Sequence, residues 1–155
     1  MQTRSTPTIH AIRIHRPGGP ENLVYEEVEV PEPGPGEVLI RQTAIGLNFI
    51  DIYHRTGLYP LPTPFTPGTE AAGIVEQVGG NVNNLKPGDR VAYASVPIGA
   101  YAEKRVMPAN RLVKIPQGIN DETAAASMVK GMTAEYLLNR VYKVQKGQTI
   151  LFHAI

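Results

Sequence analysis

The stretch that decides the fold is GTEAAGIVEQVGGNVNNLKPGDRV, which runs from Gly68 to Val91. Residues 68–79 are mostly apolar and begin with small side chains, which predicts a β-strand that another backbone or a ligand can approach closely. Lys86-Pro87-Gly88-Asp89 predicts a tight turn that leads into a second strand over residues 90–95. Two apolar strands separated by such a turn indicate a β-rich domain.

The flanking sequence extends this pattern in both directions. Further strands are predicted over residues 9–14, 23–30, 38–45, 99–107 and 112–115. The alternation within residues 99–107 predicts a solvated strand, whereas residues 38–45 are apolar enough to predict a central one. The 15 glycines and 14 prolines are spread along the chain rather than clustered, which is typical of a sandwich or barrel of short strands.

Three segments depart from the pattern of short strands: two predict helices, and one predicts a strand of a parallel sheet. Asn48 is a good N-cap for a short helix with Asp51 in its first turn. A second helix is predicted to begin after Asn120, to break at Gly131, and to resume over residues 133–142. The apolar run at 149–155 predicts a strand buried on both faces, as in parallel α/β sheets. Because a parallel partner requires a long crossover connection, we expect this strand to open a domain that is otherwise outside the 155 residues.

Charge and composition argue against several classes of protein. The 15 Lys and Arg residues nearly balance the 14 Asp and Glu residues, and this net charge of +1 argues against a nucleic-acid-binding protein. The absence of cysteine excludes disulfides, thiolate metal sites and a cysteine nucleophile. Neither a signal peptide nor a membrane-spanning run is visible, so we expect a cytoplasmic protein without membrane partners.

Six segments follow one another in a characteristic order. They are Gly46-Leu47-Asn48-Phe49-Ile50-Asp51, Arg55-Thr56-Gly57-Leu58-Tyr59-Pro60, Pro67-Gly68-Thr69-Glu70-Ala71-Ala72-Gly73, Lys86-Pro87-Gly88-Asp89-Arg90-Val91, Lys130-Gly131-Met132-Thr133-Ala134 and Ile150-Leu151-Phe152-His153-Ala154. Together and in this order, they resemble the quinone oxidoreductase (zeta-crystallin) branch of the zinc-independent medium-chain dehydrogenase/reductases. The resemblance extends from about Ile9 to Ala154.

The resemblance implies a fold and an activity. The implied fold is a mainly β, GroES-like catalytic barrel over residues 1–119, followed over 120–155 by the first helices and first strand of an α/β Rossmann domain. Members are about twice as long, so we expect a C-terminally truncated chain that binds NADPH weakly or not at all by itself. The implied activity is hydride transfer from NADPH to a quinone or a related α,β-unsaturated carbonyl, in a full-length enzyme that forms a homodimer.

The resemblance also implies which residues form the site. Tyr53 is the candidate catalytic residue, because it can relay a proton to the reduced acceptor. The candidate cofactor-binding residues are Asn48, Phe49, Ile50, Asp51, Tyr53, Thr133 and Tyr136. Lys130 is expected to be a solvated lysine, and Glu70 is expected to be structural.

No metal site is expected. The zinc-dependent relatives have a cysteine at the position of Asn48 and a histidine at that of Thr69, and an amide and a hydroxyl are poor zinc ligands. The four histidines show no metal-ligand spacing, and each is expected to be solvated or singly hydrogen-bonded.

Two other functions remain open at this stage. A non-enzymatic barrel fragment could act by interaction, and residues 150–155 would then expose an edge that pairs or aggregates. An enoyl reductase of the same superfamily would retain the hydride chemistry with a different acceptor.

Overall fold

Seven strands build the computed structural model, which describes residues 7–94, 96–151 and 153. They are β1 (Thr8–Arg13), β2 (Val24–Glu29), β3 (Glu37–Gly46), β4 (Glu70–Val78), β5 (Arg90–Ala94), β6 (Lys104–Pro108) and β7 (Val113–Lys114). The last five form an antiparallel sheet in the order β6-β3-β4-β5-β7, and β1 pairs with β2 as a hairpin. Strand β3 lies between β6 and β4, which confirms its predicted internal place.

The hairpin is joined to the sheet by backbone hydrogen bonds along β1. The Ile12 N–H donates to the Tyr101 carbonyl at 2.8 Å, and the Glu103 N–H donates to the His10 carbonyl at 3.0 Å. Ile14 forms an antiparallel β-bridge with Phe65, in the loop that contains Pro60, Pro62, Pro64 and Pro67. These contacts wrap the hairpin around the sheet, and the predicted mainly β domain is confirmed.

A smaller cluster of buried apolar residues lies on one face of the sheet, and the main core lies on the other. Alternate residues of the strands point into it, since side chains in a strand alternate between faces. Ile40, Val91 and Tyr93 are fully buried there. The Tyr93 hydroxyl donates a hydrogen bond to the Gln42 side-chain oxygen, so the one polar end of this large core residue is satisfied.

Helix α1 (Phe49–Thr56) follows β3 directly, as predicted. The Asp51 carboxylate accepts a hydrogen bond from the Asn48 N–H at 3.0 Å, which satisfies a backbone donor at the helix start. Gly57 ends the helix in the left-handed conformation with φ of 83°, a geometry that glycine adopts without steric penalty. The helix is therefore fixed at both ends.

Helix α2 (Asp121–Glu135) corrects one prediction, because Gly131 does not break it. The helix continues through Gly131 and passes into a π-helical segment, Tyr136–Val141. One glycine costs a helix only about 1 kcal/mol, which the surrounding helix-forming residues outweigh. Among the described residues, no helix combines the length and the apolar character needed to cross a bilayer.

Two strand predictions are also corrected. The solvated strand predicted over residues 99–107 is wrong in its first half, because β6 begins only at Lys104. Ala100 is fully buried, and the Gly99 and Tyr101 N–H groups donate to carbonyls in the loop before β4. Residues 149–151 and 153 are not a strand, and Leu151 is 83% exposed. A strand requires a hydrogen-bonded partner, and none of the described segments provides one there. Ser95, Phe152, Ala154 and Ile155, which also belonged to predicted strands, lie outside the described residues.

Candidate functional site

Polar side chains gather where α1, the start of β4 and α2 meet. We call this group the polar cluster, and its members come from four separate parts of the chain. They are Asn48, Asp51, Thr69, Glu70, Tyr101 and Lys130.

Glu70 is the centre of the polar cluster and is completely buried. Its Oε1 accepts hydrogen bonds from Asn48 Nδ2 at 2.9 Å and from Lys130 Nζ at 3.0 Å, while Oε2 accepts the Val129 N–H at 2.6 Å. Burying a carboxylate is costly unless it is paired and hydrogen-bonded, and here three donors meet that requirement. The arrangement also explains Gly46, since a Cβ there would lie only 2.6 Å from the Glu70 Cδ.

Asp51 is the second buried carboxylate of the polar cluster. It accepts hydrogen bonds from the Tyr101 hydroxyl at 3.1 Å and from Thr69 Oγ1 at 3.3 Å, in addition to the Asn48 N–H. Burial raises the pKa of Asp51 above its usual value, although these hydrogen bonds and the nearby His54 oppose the rise. Burial and the adjacent Asp51 together raise the pKa of the Tyr101 hydroxyl, so Tyr101 remains a hydrogen-bond donor to Asp51.

His54 corrects the expectation that every histidine is solvated or singly hydrogen-bonded. It is 8% exposed on the inner face of α1, and its Nδ1 has no hydrogen-bond partner among the described residues. Its ring packs edge-on against Tyr59 at 6.3 Å. Asp51 and His54 are three residues apart on the helix, so they share its buried side.

An open cleft of about 420 Å³ lies beside the polar cluster, between α1 and α2. Thr69 is shared between the two, since it lines the cleft and bonds to Asp51. The rest of the lining is mainly apolar. It consists of Ile50, Ala94, Val129, Met132, Thr133, Tyr136 and Leu137.

The structure brings three of the predicted site residues together in this cleft. Ile50 supplies one wall from α1, while Thr133 and Tyr136 supply the opposite wall from α2 and the π-helical segment. The Thr133 hydroxyl donates to the Val129 carbonyl at 2.8 Å, which leaves its oxygen lone pairs available as acceptors. Tyr136 is 57% exposed.

The other predicted site residues surround the cleft rather than line it. The Asn48 amide is held inside the polar cluster, where its Oδ1 accepts from Lys130 Nζ at 2.9 Å. Asp51 is buried behind Thr69, and Phe49 is 61% exposed. Tyr53 lies one helical turn beyond Ile50 on the same side of α1, with its ring edge-on to Tyr59 at 5.5 Å. Their roles toward a ligand stay predictions.

Lys130 matches the expectation of a solvated lysine only in part. Its side chain is 58% exposed, but its ammonium group is paired with the buried Glu70 instead of standing free in solvent. The pairing depends on how α2 crosses β4, which no local pattern around residue 130 reveals. Tyr101 was missed for a similar reason, because its segment was taken for a solvated strand.

The polar cluster contains few metal-ligating groups. Within the described parts of the chain, no three His, Cys, Asp or Glu side chains come together in a way that could hold a metal ion. Asn48 and Glu70 are hydrogen-bonded to each other, and both also accept hydrogen bonds from the Lys130 ammonium group.

Comparisons with known proteins give the class of this protein. Its mainly β, GroES-like fold is shared with quinone oxidoreductases, which have the medium-chain dehydrogenase/reductase fold. The chain belongs to the alcohol dehydrogenase GroES-like domain family, whose model matches residues 34–117.

The relatives of the chain include quinone oxidoreductases and a reductase. It is 55% identical to the quinone oxidoreductase of Pseudomonas aeruginosa, covering 88% of this chain and 42% of that protein. It is 47% identical to the 2-haloacrylate reductase of a Burkholderia species, covering 94% and 46%. The crystal structure of Escherichia coli quinone oxidoreductase complexed with NADPH matches with a TM-score of 0.80 and 44% identity, covering 88% of this chain and 42% of that one. The chain thus spans less than half the length of these relatives.

Proposed function

We propose that the protein carrying this chain reduces a quinone, or a related α,β-unsaturated carbonyl, by hydride transfer from NADPH. The observation that carries this proposal is the apolar cleft between α1 and α2, with the polar cluster directly behind Thr69. The NADPH-bound relative and the quinone oxidoreductase homologues support it.

The cleft suits a nicotinamide ring. A dihydronicotinamide is flat and uncharged, and the side chains that line the cleft carry no charge. Its carboxamide requires a few polar partners, which the Thr133 oxygen and the Tyr136 hydroxyl can provide. When bound, NADPH would supply the hydride, and the chain would supply orientation and exclusion of water.

We assign the two walls different tasks. On the α1 side, Asn48, Phe49, Ile50, Asp51 and Tyr53 would shape the site and orient the acceptor. On the α2 side, Thr133 and Tyr136 would hold the nicotinamide. Tyr53 remains a candidate for relaying a proton, since it lies on the same side of α1 as Ile50.

We also infer that residues 120–155 begin a nucleotide-binding domain distinct from the barrel of residues 1–119. The support is the abrupt change at Asn120, whose side-chain oxygen accepts the Thr123 N–H at 2.8 Å and caps α2. The family model also ends at residue 117, just before this cap.

A second acceptor class is favoured by one specific observation. The relative at 47% identity is a 2-haloacrylate reductase, whose name gives an unsaturated acid as its acceptor. An activated alkene and a quinone both accept a hydride at carbon, so a single cleft can serve either reaction.

The test is an assay of NADPH oxidation by the protein that carries this chain, with benzoquinone and with 2-chloroacrylate as acceptors. Thr133→Tyr would fill the cleft, and Thr123→Tyr makes the same change on an exposed part of the same helix as a control. We expect Thr133→Tyr to lower kcat/KM by about 100-fold, because even small misplacement of reactants is costly, and Thr123→Tyr to leave it unchanged. Equal effects of the two substitutions, or no NADPH oxidation by the wild-type protein, would contradict the proposal.

A further inference from the structure

Lys130 is placed differently from the other lysines that the structure pairs with a carboxylate. Its partner, Glu70, is 0% exposed, whereas the carboxylates paired with Lys104 and Lys114 retain some exposure. The lysine itself remains 58% exposed. A largely exposed lysine side chain is thus paired, through its ammonium group, with a completely buried carboxylate.

The position of the ammonium group is fixed from two directions. Asn48 Oδ1 accepts from Lys130 Nζ at 2.9 Å, and Glu70 Oε1 accepts from it at 3.0 Å. The other Glu70 oxygen binds the Val129 N–H, one residue earlier on α2. Because Glu70 accepts hydrogen bonds from both the helix backbone and the Lys130 ammonium group, the usual rotamer freedom of the lysine is restricted at this site.

The same lysine lies on the helix that forms one wall of the cleft. Val129 and Thr133 line the cleft at positions one before and three after Lys130. Lys130 is not itself part of the lining, but its ammonium group binds Asn48, two residues before Ile50 in the opposite wall. An ammonium group has three N–H donors, and two of them are used. The third has no acceptor among the described residues, so it is available to a ligand oxygen.

We propose that Lys130 hydrogen-bonds the acceptor oxygen on which negative charge develops, and donates the proton that completes the reduction. This rests on the proposed function. Bound NADPH would supply the hydride, and its addition at a ring carbon of the quinone would leave an enolate anion, which is a tautomer of the hydroquinone anion. The Lys130 N–H bond then breaks as the proton moves to the anionic oxygen, and the neutral amine regains a proton from water.

This role explains why a lysine is held here by a buried carboxylate. A fixed cation next to the oxygen on which charge develops stabilises the transition state more than a mobile one, because no reorganisation is needed during the reaction. Glu70 keeps the cation in place, and Asn48 directs it. Asn48 thereby becomes a positioning residue rather than one that must itself touch the acceptor.

A purely structural role for Lys130 makes a different prediction, and a double variant separates the two. Lys130→Met leaves the Glu70 charge buried without its partner, so it can lose stability for reasons unrelated to catalysis. Glu70→Gln/Lys130→Met removes both charges together. A structural role predicts that the double variant recovers both thermal stability and turnover.

We expect the double variant of the protein that carries this chain to be stable, to bind NADPH within about twofold of wild type, and to reduce benzoquinone about 100-fold more slowly, in the range lost with a general acid. Lys86→Met, in the turn before β5, is the matched control and should keep wild-type turnover. Wild-type turnover in the double variant would overturn the proposal. Absence of reduction by the wild-type protein would instead overturn the proposed function.

A binding measurement provides a readout that does not depend on turnover. In the presence of NADP⁺, para-nitrophenol resembles the reduced acceptor, and its absorption reports its ionisation. An ammonium group within hydrogen-bonding distance should lower the pKa of the bound phenol by one unit or more, so the ratio of bound phenolate to bound phenol should be about tenfold higher in the wild-type complex than in the double variant. Equal ionisation in the two complexes would overturn the proposal.

Discussion

The barrel and the segment that follows it are stabilised in different ways. The barrel has its own core, in which Ile40, Val91 and Tyr93 are fully buried. From Asp121 to Leu151, the only buried residues that the structure describes are Ala124 and Ala125. The barrel can therefore be stable from its own packing, whereas α2 is held to it at a few points.

Ala124 and Ala125 pack against Ala72 and Ala92 of the sheet, and two groups of polar contacts add to this apolar contact. Asp121 accepts hydrogen bonds from the Arg90 guanidinium and from Thr43 Oγ1, and so anchors the first turn of α2 to the sheet. Two turns later, Glu70 binds the Val129 N–H and the Lys130 ammonium. The candidate site thus lies at the second anchor, where the two regions meet, and anything that moves α2 will alter the cleft.

The largest expected difference between the regions is in the cost of removing an apolar side chain. Ile40→Ala opens a cavity in the barrel core and should lower the free energy of unfolding by about 2–5 kcal/mol. Leu137→Ala, at a residue that is 44% exposed, should change it by no more than about 0.5 kcal/mol. Chemical denaturation of both variants measures this difference. A similar cost for the two substitutions would show that the second region is packed as tightly as the first.

A pair of glycine substitutions should have opposite signs in the two regions. Gly46→Ala forces a Cβ against the Glu70 carboxylate and should destabilise the protein by about 1–3 kcal/mol through overpacking. Gly131→Ala meets nothing within 4 Å in the interior of α2 and should stabilise the helix by roughly 0.5–1 kcal/mol. Thermal melting of the two variants checks this, and a shift in the same direction for both would argue against the tight fit around Glu70.

The smallest expected effect is a pH dependence of the first anchor. The hydrogen bond from Thr43, and then the Arg90 guanidinium, lower the pKa of Asp121 below its usual value. A lowered pKa in the folded state means that the stabilisation is complete at neutral pH and is lost as the pH falls below about 4 toward the folded-state pKa.

Hydrogen exchange of α2 measures this dependence. After correction for the intrinsic effect of pH on exchange, protection of the first turns of α2 should fall between neutral pH and about pH 3, while protection at Ile40 changes less. Asp121→Asn should remove the part of the dependence that belongs to this anchor. An unchanged pH profile in that variant would assign the effect to other groups.

The sequence predicted the elements whose signals are local. The cap at Asn48 and the turn at residues 86–89 were both expected, because each depends on neighbouring residues only. Strand β3 was also expected, since its apolar run extends over most of its length. The resemblance of the motif order supplied the family, which the match to the GroES-like domain model confirms.

What could not be predicted depends on contacts between distant segments. Lys130 and Glu70 are sixty residues apart, and only the path of α2 over β4 brings them together. Ala100 is buried where its N–H donates to a carbonyl in the loop before β4. The alternating polar and apolar residues around it gave no sign of this contact. The break predicted at Gly131 rested on the low helix propensity of glycine alone. The higher helix propensity of the neighbouring residues outweighs it.

The central claim is that the cleft between α1 and α2 receives the nicotinamide, and the methionine methyl groups test it most directly. Met132 lines the cleft, whereas Met107 is 1% exposed in the barrel core. We would label the methionine methyls of the protein that carries this chain with carbon-13 and titrate it with NADPH by NMR. The account predicts that the Met132 methyl shifts with saturating NADPH while the Met107 methyl does not. NADPH binding with an unchanged Met132 resonance would contradict it.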